Sequence, residues 1–387
     1  MKHVLDSAMK HRILIFSLAY YPHIGGAEVA LKEITDRISD VEFHMLTLNF
    51  GGEEKEPPKM GNIFVHRIGN GNSYLSKILF IPRAALAARV LHQTLHFDAF
   101  WAMMSYMLFP IVLLRLLGIQ VPYLLTLQEG DPWQRMFSRW FILPFRPLLS
   151  IGFRNASVIQ AISKYLAEWA TRMGSKKEIA IVPNGVDLER FTQTSHPVVV
   201  TAGIVNLITT SRLVYKNALD EVIRALVLLP ENVQFVIYGS GPDERKLRTL
   251  SEDMKVSSRV LFKGHSSHAE LARAFTTAHI FVRPSRSEGM GNSFIEAMAA
   301  GLPVIGTQEG GIADFLFDAK RNPDRETTGW AVDKDSPEQI AMAVKDIMTN
   351  PGKVAQVRVN ALALVREKYD WIHIVKQMRA LFVTISV

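Results

Sequence analysis

No cysteine occurs among the 387 residues. Disulfide frameworks, thiolate nucleophiles and cysteine-ligated zinc are thereby excluded, and a reducing compartment is compatible with the composition. The 12 histidines show no His-x-x-x-His or comparable ligand spacing, so no bound metal is expected. Long apolar runs are missing too. Ile13–Ala19 is too short to span a bilayer, and Asp6 does not suit the start of a signal peptide. The longest apolar stretch, Phe100–Leu114, is interrupted by Pro110 and closed by Arg115, and it reads as a buried strand followed by a core helix. There is no low-complexity tract and no internal repeat. Neither half carries the Gly-x-Gly-x-x-Gly fingerprint of dinucleotide binding, which disfavours a dehydrogenase. One absence is local: Trp133–Ala167 contains no acidic residue.

Apolar residues make up 48% of the chain, enough for two cores, and the length exceeds one ordinary domain. The net charge of +7 is uneven, about +5 up to Thr194 and +2 beyond it. Short apolar strands alternate with amphipathic helices in the first half. Strands are expected at Arg12–Leu18, Glu42–Asn49, Ile63–Ile68, Ala99–Met103, Tyr123–Leu127 and Ser157–Ala161. A helix is expected at Ala27–Ile38, with Val29, Ile34 and Ile38 buried. The polar stretch Thr192–Pro197 reads as a linker. The pattern then restarts, with strands at Ile204–Thr210, Val233–Tyr238, Val260–Lys263, His279–Arg283 and Val304–Gly306. Helices are expected at Leu219–Leu228, Glu244–Asp253, Ala269–Ala278 and Ser293–Ala300, and an amphipathic tail helix after an Asp370 cap. Such alternation implies α/β architecture: two doubly wound, Rossmann-like domains facing across a cleft, with ligands at the carboxyl ends of the strands.

The most informative stretch runs from Arg283 to Asp314. Glu288 lies in a Gly-punctuated loop with Gly289, Met290, Gly291 and Asn292, and Glu296 follows on the next helix. A loop entering a helix presents free N–H groups to an anion, and the two carboxylates can take hydroxyl hydrogen bonds. This is chemistry for holding a nucleotide-sugar; the plain alternative is a βαβ unit with two solvated glutamates. Gly25-Gly26-Ala27-Glu28 opens the first helix and allows backbone to approach a phosphate, or is an ordinary turn. Arg212 and Lys216 can converge on a diphosphate, or are surface cations. The turn containing Gly239 and Gly241 permits close approach to a nucleotide or simply connects two elements. Asp333 and Asp335 precede Ser336-Pro337 and read as helix capping rather than a metal clamp.

These segments, with Val182-Pro183-Asn184-Gly185-Val186-Asp187 and Phe191, resemble the retaining glycosyltransferases of family 4, from about Arg12 to Phe382. The resemblance implies a GT-B fold. Residues 1–194 would bind the acceptor, 195–365 the nucleotide-diphosphate sugar, and the helix in 366–387 would cross back onto the first domain. It further implies that Glu288 contacts the transferred sugar, Glu296 the ribose, and Arg212 and Lys216 the leaving diphosphate. The amides of Gly289–Asn292 would line the donor, with Gly25-Gly26 approaching from the other domain. Gln128 stands where many relatives carry a histidine, so either the chemistry needs no acid–base group there or Glu129 or Asp131 substitutes.

The expected activity is retaining, metal-independent transfer to a glycan or lipid-linked acceptor in cell-envelope polysaccharide or glycolipid synthesis. A nucleotide-sugar epimerase and a catalytically inactive sugar-nucleotide-binding module are the alternatives. No cofactor beyond the donor substrate and no nucleic acid are expected. The expected location is cytoplasmic. Contact with an anionic membrane would run through 133–167, where Arg135, Arg139, Arg146, Arg154 and Lys164 interleave with Trp133, Phe137, Trp140, Phe141, Phe145 and Phe153.

Overall fold

A computed structural model describes residues 11–23, 25–51, 58–192 and 203–386. The chain forms two compact units. One comprises Met1–Glu129, Trp133–Val182 and Ile372–Val387; the other comprises Gly130–Pro132 and Pro183–Trp371.

The first unit is built on eight strands: β1 (His11–Phe16), β2 (Val41–Leu48), β3 (Lys59–Met60), β4 (Ile63–Ile68), β5 (Ala99–Met103), β6 (Tyr123–Leu127), β7 (Val158–Ala161) and β8 (Ile179–Ile181). Their order is β3-β4-β2-β1-β5-β6-β7-β8, parallel except for the β3–β4 pair. The central strands β5 and β6 are buried at every position, as a parallel sheet covered on both faces requires. The stretch from Phe100 resolves into β5 and the helix Leu108–Leu116. In the first helix, Gly26–Asp36, the buried positions are Ala27, Ala30, Leu31, Ile34 and Thr35, while Val29 is half-buried rather than core.

The second unit carries β9 (Val205–Thr210), β10 (Val233–Tyr238), β11 (Val260–Gly264), β12 (Ile280–Arg283), β13 (Val304–Gly306) and β14 (Trp330–Ala331). The order β11-β10-β9-β12-β13-β14 is parallel throughout, so this sheet is also doubly wound. Three strands without a sequence signal, β3, β8 and β14, are all edge strands of two or three residues, too short to show periodicity.

The division between units falls at Val182/Pro183, earlier than the boundary at 194/195 that the polar stretch indicated. Residues 193–197 of that stretch lie outside the described residues. The physical reason is the Pro183–Asp187 segment, which is bound into the second unit. Asn184 donates to the Met290 sulfur (3.3 Å) and to the Asn292 side chain (3.2 Å). A side chain on Gly185 would strike the Trp371 ring at 2.6 Å, and Val186 pairs with Asp370. The tail helix Trp371–Ser386 packs on the first unit, with Phe382 against Phe43 and Trp101.

Candidate functional site

In the second sheet the winding reverses between β9 and β12, which lie side by side. Open α/β sheets bind ligands outside the carboxyl ends of strands at such a point. Two loops leave there. One, after β9, carries Arg212 and Lys216; the other, after β12, carries Arg286 and Glu288. The hydroxyls of Thr210, Ser211 and Ser285 at the same edge are buried with no hydrogen-bond partner among the described residues. Groups of that kind call for a polar ligand or water.

Glu288 is held, not solvated. Its Oε2 accepts from the Arg283 guanidinium (2.9 Å) and its Oε1 from the Gly289 N–H (3.0 Å). Arg283 is buried, donates also to the Ser293 hydroxyl (2.8 Å), and lies over the Phe294 ring. Burial pushes the Arg283 pKa down, while Glu288 and Glu296 pull it back up. Gly291, at φ +99°, precedes the helix Asn292–Ala299, and a side chain there would crowd Phe294 and Arg283. That helix start has no side-chain cap; the Phe294 N–H bonds the Gly291 carbonyl (3.0 Å), which leaves the N–H groups of Asn292 and Ser293 to meet an anion. Gly310, at φ +61°, packs so closely beneath the loop that a Cβ would overlap the Glu288 carbonyl.

Lys216 sits in the short turn Tyr215–Asn217, which Arg286 clamps. The Arg286 N–H donates to the Lys216 carbonyl (2.7 Å) and its guanidinium to the Tyr215 carbonyl (2.8 Å). The same guanidinium forks onto Asp220 (2.9 and 2.8 Å), bonds Glu221 (3.0 Å) and Asp335 (2.5 Å), and lies 4.1 Å over the Tyr215 ring. Burial works against its charge, but Asp220 and Asp335 hold its pKa above the ordinary arginine value. Arg286 is therefore fully engaged by carboxylates. Lys216 and Arg212, in contrast, make no side-chain hydrogen bond or ion pair among the described residues. Gly130 packs with this unit: a Cβ on it would meet the Lys216 ammonium at 2.5 Å and Glu288 Oε1 at 3.6 Å. Lysine and glutamate thus close around one glycine.

Burial raises the pKa of Glu296, against the pull of His268, Arg283 and Arg190. His268 lies 3.8 Å from its carboxylate. The Met290 side chain is buried beneath Asn184, so that residue can offer a ligand only its backbone. Gly239 and Gly241 are accounted for without a ligand. A Cβ on either would overlap the backbone of Ser211 or Leu213, and the Gly239 N–H is taken by the Gly264 carbonyl. Ser336 is the N-cap of the helix Pro337–Thr349 with Pro337 in its first turn, as expected, although its side chain makes no capping bond; of the preceding aspartates, Asp333 pairs with Arg321 and Asp335 with Arg286.

In the first unit, the Gly25 N–H already binds Glu28 Oε2 (2.8 Å), closing the helix start on itself. Glu129 is buried, with Oε1 accepting from both the N–H (2.6 Å) and the hydroxyl (2.5 Å) of Ser105. Burial raises its pKa. It braces the loop after β5, and Gln128 beside it is buried as well. Sequence reasoning missed Arg283, Arg286, Ser293, His268 and Gly130. The visible signal for the two arginines was their position, flanking Pro284-Ser285 just before the glutamate loop.

Two family models match the chain: glycosyltransferase family 4 over residues 24–190 and glycosyl transferases group 1 over 205–363. A GDP-mannose-dependent α-(1-6)-phosphatidylinositol monomannoside mannosyltransferase of Mycolicibacterium smegmatis is 28% identical over 259 residues. That is 60% of this chain and 64% of the relative, just under two thirds of its length. An uncharacterized glycosyltransferase of Methanocaldococcus jannaschii is 23% identical over 95% of this chain and 97% of its own. Among solved structures, sucrose-phosphate synthase from Thermosynechococcus elongatus superposes with a TM-score of 0.82 at 18% identity, over 97% of this chain and 99% of that one. Anabaena HepE, solved with UDP and glucose, gives 0.77 at 19%, over 97% of this chain and 100% of its own. With both sheets doubly wound and both halves matched, the chain belongs to the family 4, group 1 glycosyltransferases and has the GT-B fold.

Proposed function

We propose that this glycosyltransferase moves a hexosyl group from a nucleoside-diphosphate sugar to a hydroxyl of a glycan or lipid-linked acceptor, with retention and without a metal ion. The second unit takes the donor and the first the acceptor. The observation that carries this reading is the unpaired state of Arg212 and Lys216, at a switch point where neighbouring Arg283 and Arg286 are bound to carboxylates. Two cations kept free beside a helix start suit a diphosphate.

The acceptor oxygen bonds to the anomeric carbon on the face that the diphosphate leaves. The carbon–oxygen bond to phosphate breaks, and the hydroxyl proton passes to the departing phosphate oxygen. No protein nucleophile is required. Arg212 and Lys216 stabilise the charge that develops on the leaving group, by about 3–4 kcal/mol each if they act as preorganised donors. Glu288 orients hydroxyls of the transferred sugar, Glu296 those of the ribose, and Gln128 bonds the sugar without titrating. The lipid acceptor in the mycobacterial relative's name supports an envelope glycolipid or polysaccharide role at the cytoplasmic side of a membrane. Within 133–167, Trp140, Leu143 and Phe145 are exposed and available for that contact; Phe137 and Phe153 are core.

Incubation with labelled nucleoside-diphosphate sugars in EDTA tests the reading. Transfer or donor hydrolysis is expected to persist, and Lys216→Ala to lower it at least about hundredfold. Loss of turnover on chelation, with recovery on adding magnesium or manganese, would overturn the metal-free site. Interconversion of the donor sugar without transfer would make the chain an epimerase.

A further inference from the structure

The helix Tyr74–Leu95 is apolar on two opposite faces, and only one of them is buried. Phe80, Ala84, Ala85 and Ala88 enter the core. Leu75, Leu79, Pro82, Leu86 and Val90, spaced four, three, four and four residues apart, form a stripe on the other side, roughly 22 Å long at 1.5 Å per residue. Leu75, Leu86 and Val90 are 63%, 58% and 61% exposed. A helix apolar all round is normally enclosed, and a continuous exposed patch marks a contact surface. Arg83 and Arg89 flank the stripe, both exposed and without an ion pair among the described residues. The helix contains no acidic residue. At its start Tyr74 meets Phe141 edge-on at 6.2 Å, and Phe141 meets Trp140, which is 82% exposed, at 5.7 Å. The stripe therefore runs on into the acid-free segment beginning at Trp133.

We propose that this composite face docks the protein flat on an anionic lipid bilayer, the stripe and Trp140 entering the headgroup boundary and the arginines meeting lipid phosphates. It deepens the reading above, and rests on it for a membrane-borne acceptor. A second copy of the chain would bring the same arginines to the face and be repelled. No helix among the described residues is long and apolar enough to cross a membrane, so contact through this face is peripheral.

Sedimentation of the whole protein with phosphatidylglycerol or phosphatidylcholine vesicles tests this. The wild type is expected to pellet with the anionic vesicles, less so as salt rises, and to stay in solution with the neutral ones. Leu75→Glu with Leu86→Glu should cut the pelleted fraction about tenfold, as should Arg83→Glu with Arg89→Glu. These exposed positions leave folding and donor hydrolysis intact, which thermal denaturation and a hydrolysis assay verify. A wild type that stays in the supernatant with anionic vesicles at low salt, or variants that pellet equally, overturns the proposal. Concentration-dependent dimerisation lost in the same variants would reassign the face to self-association. If the wild type pellets but hydrolyses no donor, the proposed function fails while the docking surface stands.

Discussion

Glu288 illustrates how a buried partner changes what a substitution reports. Replacing it with alanine would leave the Arg283 guanidinium buried and unpaired, a cost of about 3–5 kcal/mol that would mask any catalytic effect. Glu288→Gln keeps a carbonyl for Arg283 and is the cleaner probe. It should abolish turnover while leaving nucleoside-diphosphate affinity nearly unchanged, because its assigned partners are hydroxyls of the transferred sugar. Glu296→Gln should weaken that affinity, by about 1–3 kcal/mol for a lost charged hydrogen bond. Calorimetric titration of both variants with plain nucleoside diphosphate decides it, and equal losses would sink the division of labour. Arg286 acts one step further away. Its charge is consumed by Asp220, Glu221 and Asp335, yet it grips the carbonyls of Tyr215 and Lys216. It is a positioning residue for the lysine. In a double-mutant cycle, kcat for Arg286→Ala with Lys216→Ala should match Lys216→Ala alone. Additive losses, measured where all variants remain folded, would show that Arg286 does not work through Lys216.

Elements with strong periodicity were legible before any coordinates. β4, β5, β6 and β10 begin and end where alternation and apolar runs placed them: β5 and β6 are buried at every position and carry their signal in every residue, while β10 and the start of β4 alternate buried with half-buried positions. The Glu288 loop and the Lys216 turn were legible for another reason: glycines and charges at strand ends are costly anywhere else. What could not be read was which glycine serves a ligand and which serves the chain. Gly239 and Gly310 make room for neighbouring backbone, whereas Gly130 makes room for the ends of Lys216 and Glu288. That distinction depends on tertiary neighbours, 22 residues away in sequence for Gly310 and 86 for Gly130. It yields opposite expectations for two small substitutions. Gly130→Ala meets only flexible side-chain tips and should leave the melting temperature nearly unchanged while lowering kcat, because Lys216 must move aside. Gly310→Ala combines a left-handed backbone with overlap of the Glu288 carbonyl and should cost about 1–3 kcal/mol of stability. Thermal melts alongside turnover separate the cases. A Gly130→Ala enzyme with unchanged kcat would remove Lys216 from the chemistry.

At the scale of the whole molecule, the chain leaves the first unit at Val182, builds the second, and returns at Ile372 to complete the first. The returning helix is held mainly by buried side chains. Ile374, Met378, Phe382 and Ile385 are buried, and the Phe382 ring lies 5.6 Å from Phe43 and 4.9 Å from Trp101. Arg379 also forks onto Asp40, but that pair is exposed and screened by solvent. Ring burial should therefore dominate. Phe382→Ala is expected to destabilise the first unit by about 3–5 kcal/mol, the cost of a large cavity beside Trp101. Arg379→Ala should be barely measurable in the same assay. The groups assigned to the nucleoside diphosphate, Arg212, Lys216 and Glu296, all lie within Pro183–Trp371, so nucleoside-diphosphate affinity should survive Phe382→Ala at temperatures where the variant stays folded. Urea denaturation followed by tryptophan fluorescence, paired with calorimetric titration of the diphosphate, tests both halves. An unchanged urea midpoint would mean that the tail helix contributes little to the first core. A parallel loss of nucleotide affinity would mean that the last helix stabilises the second unit as much as the first.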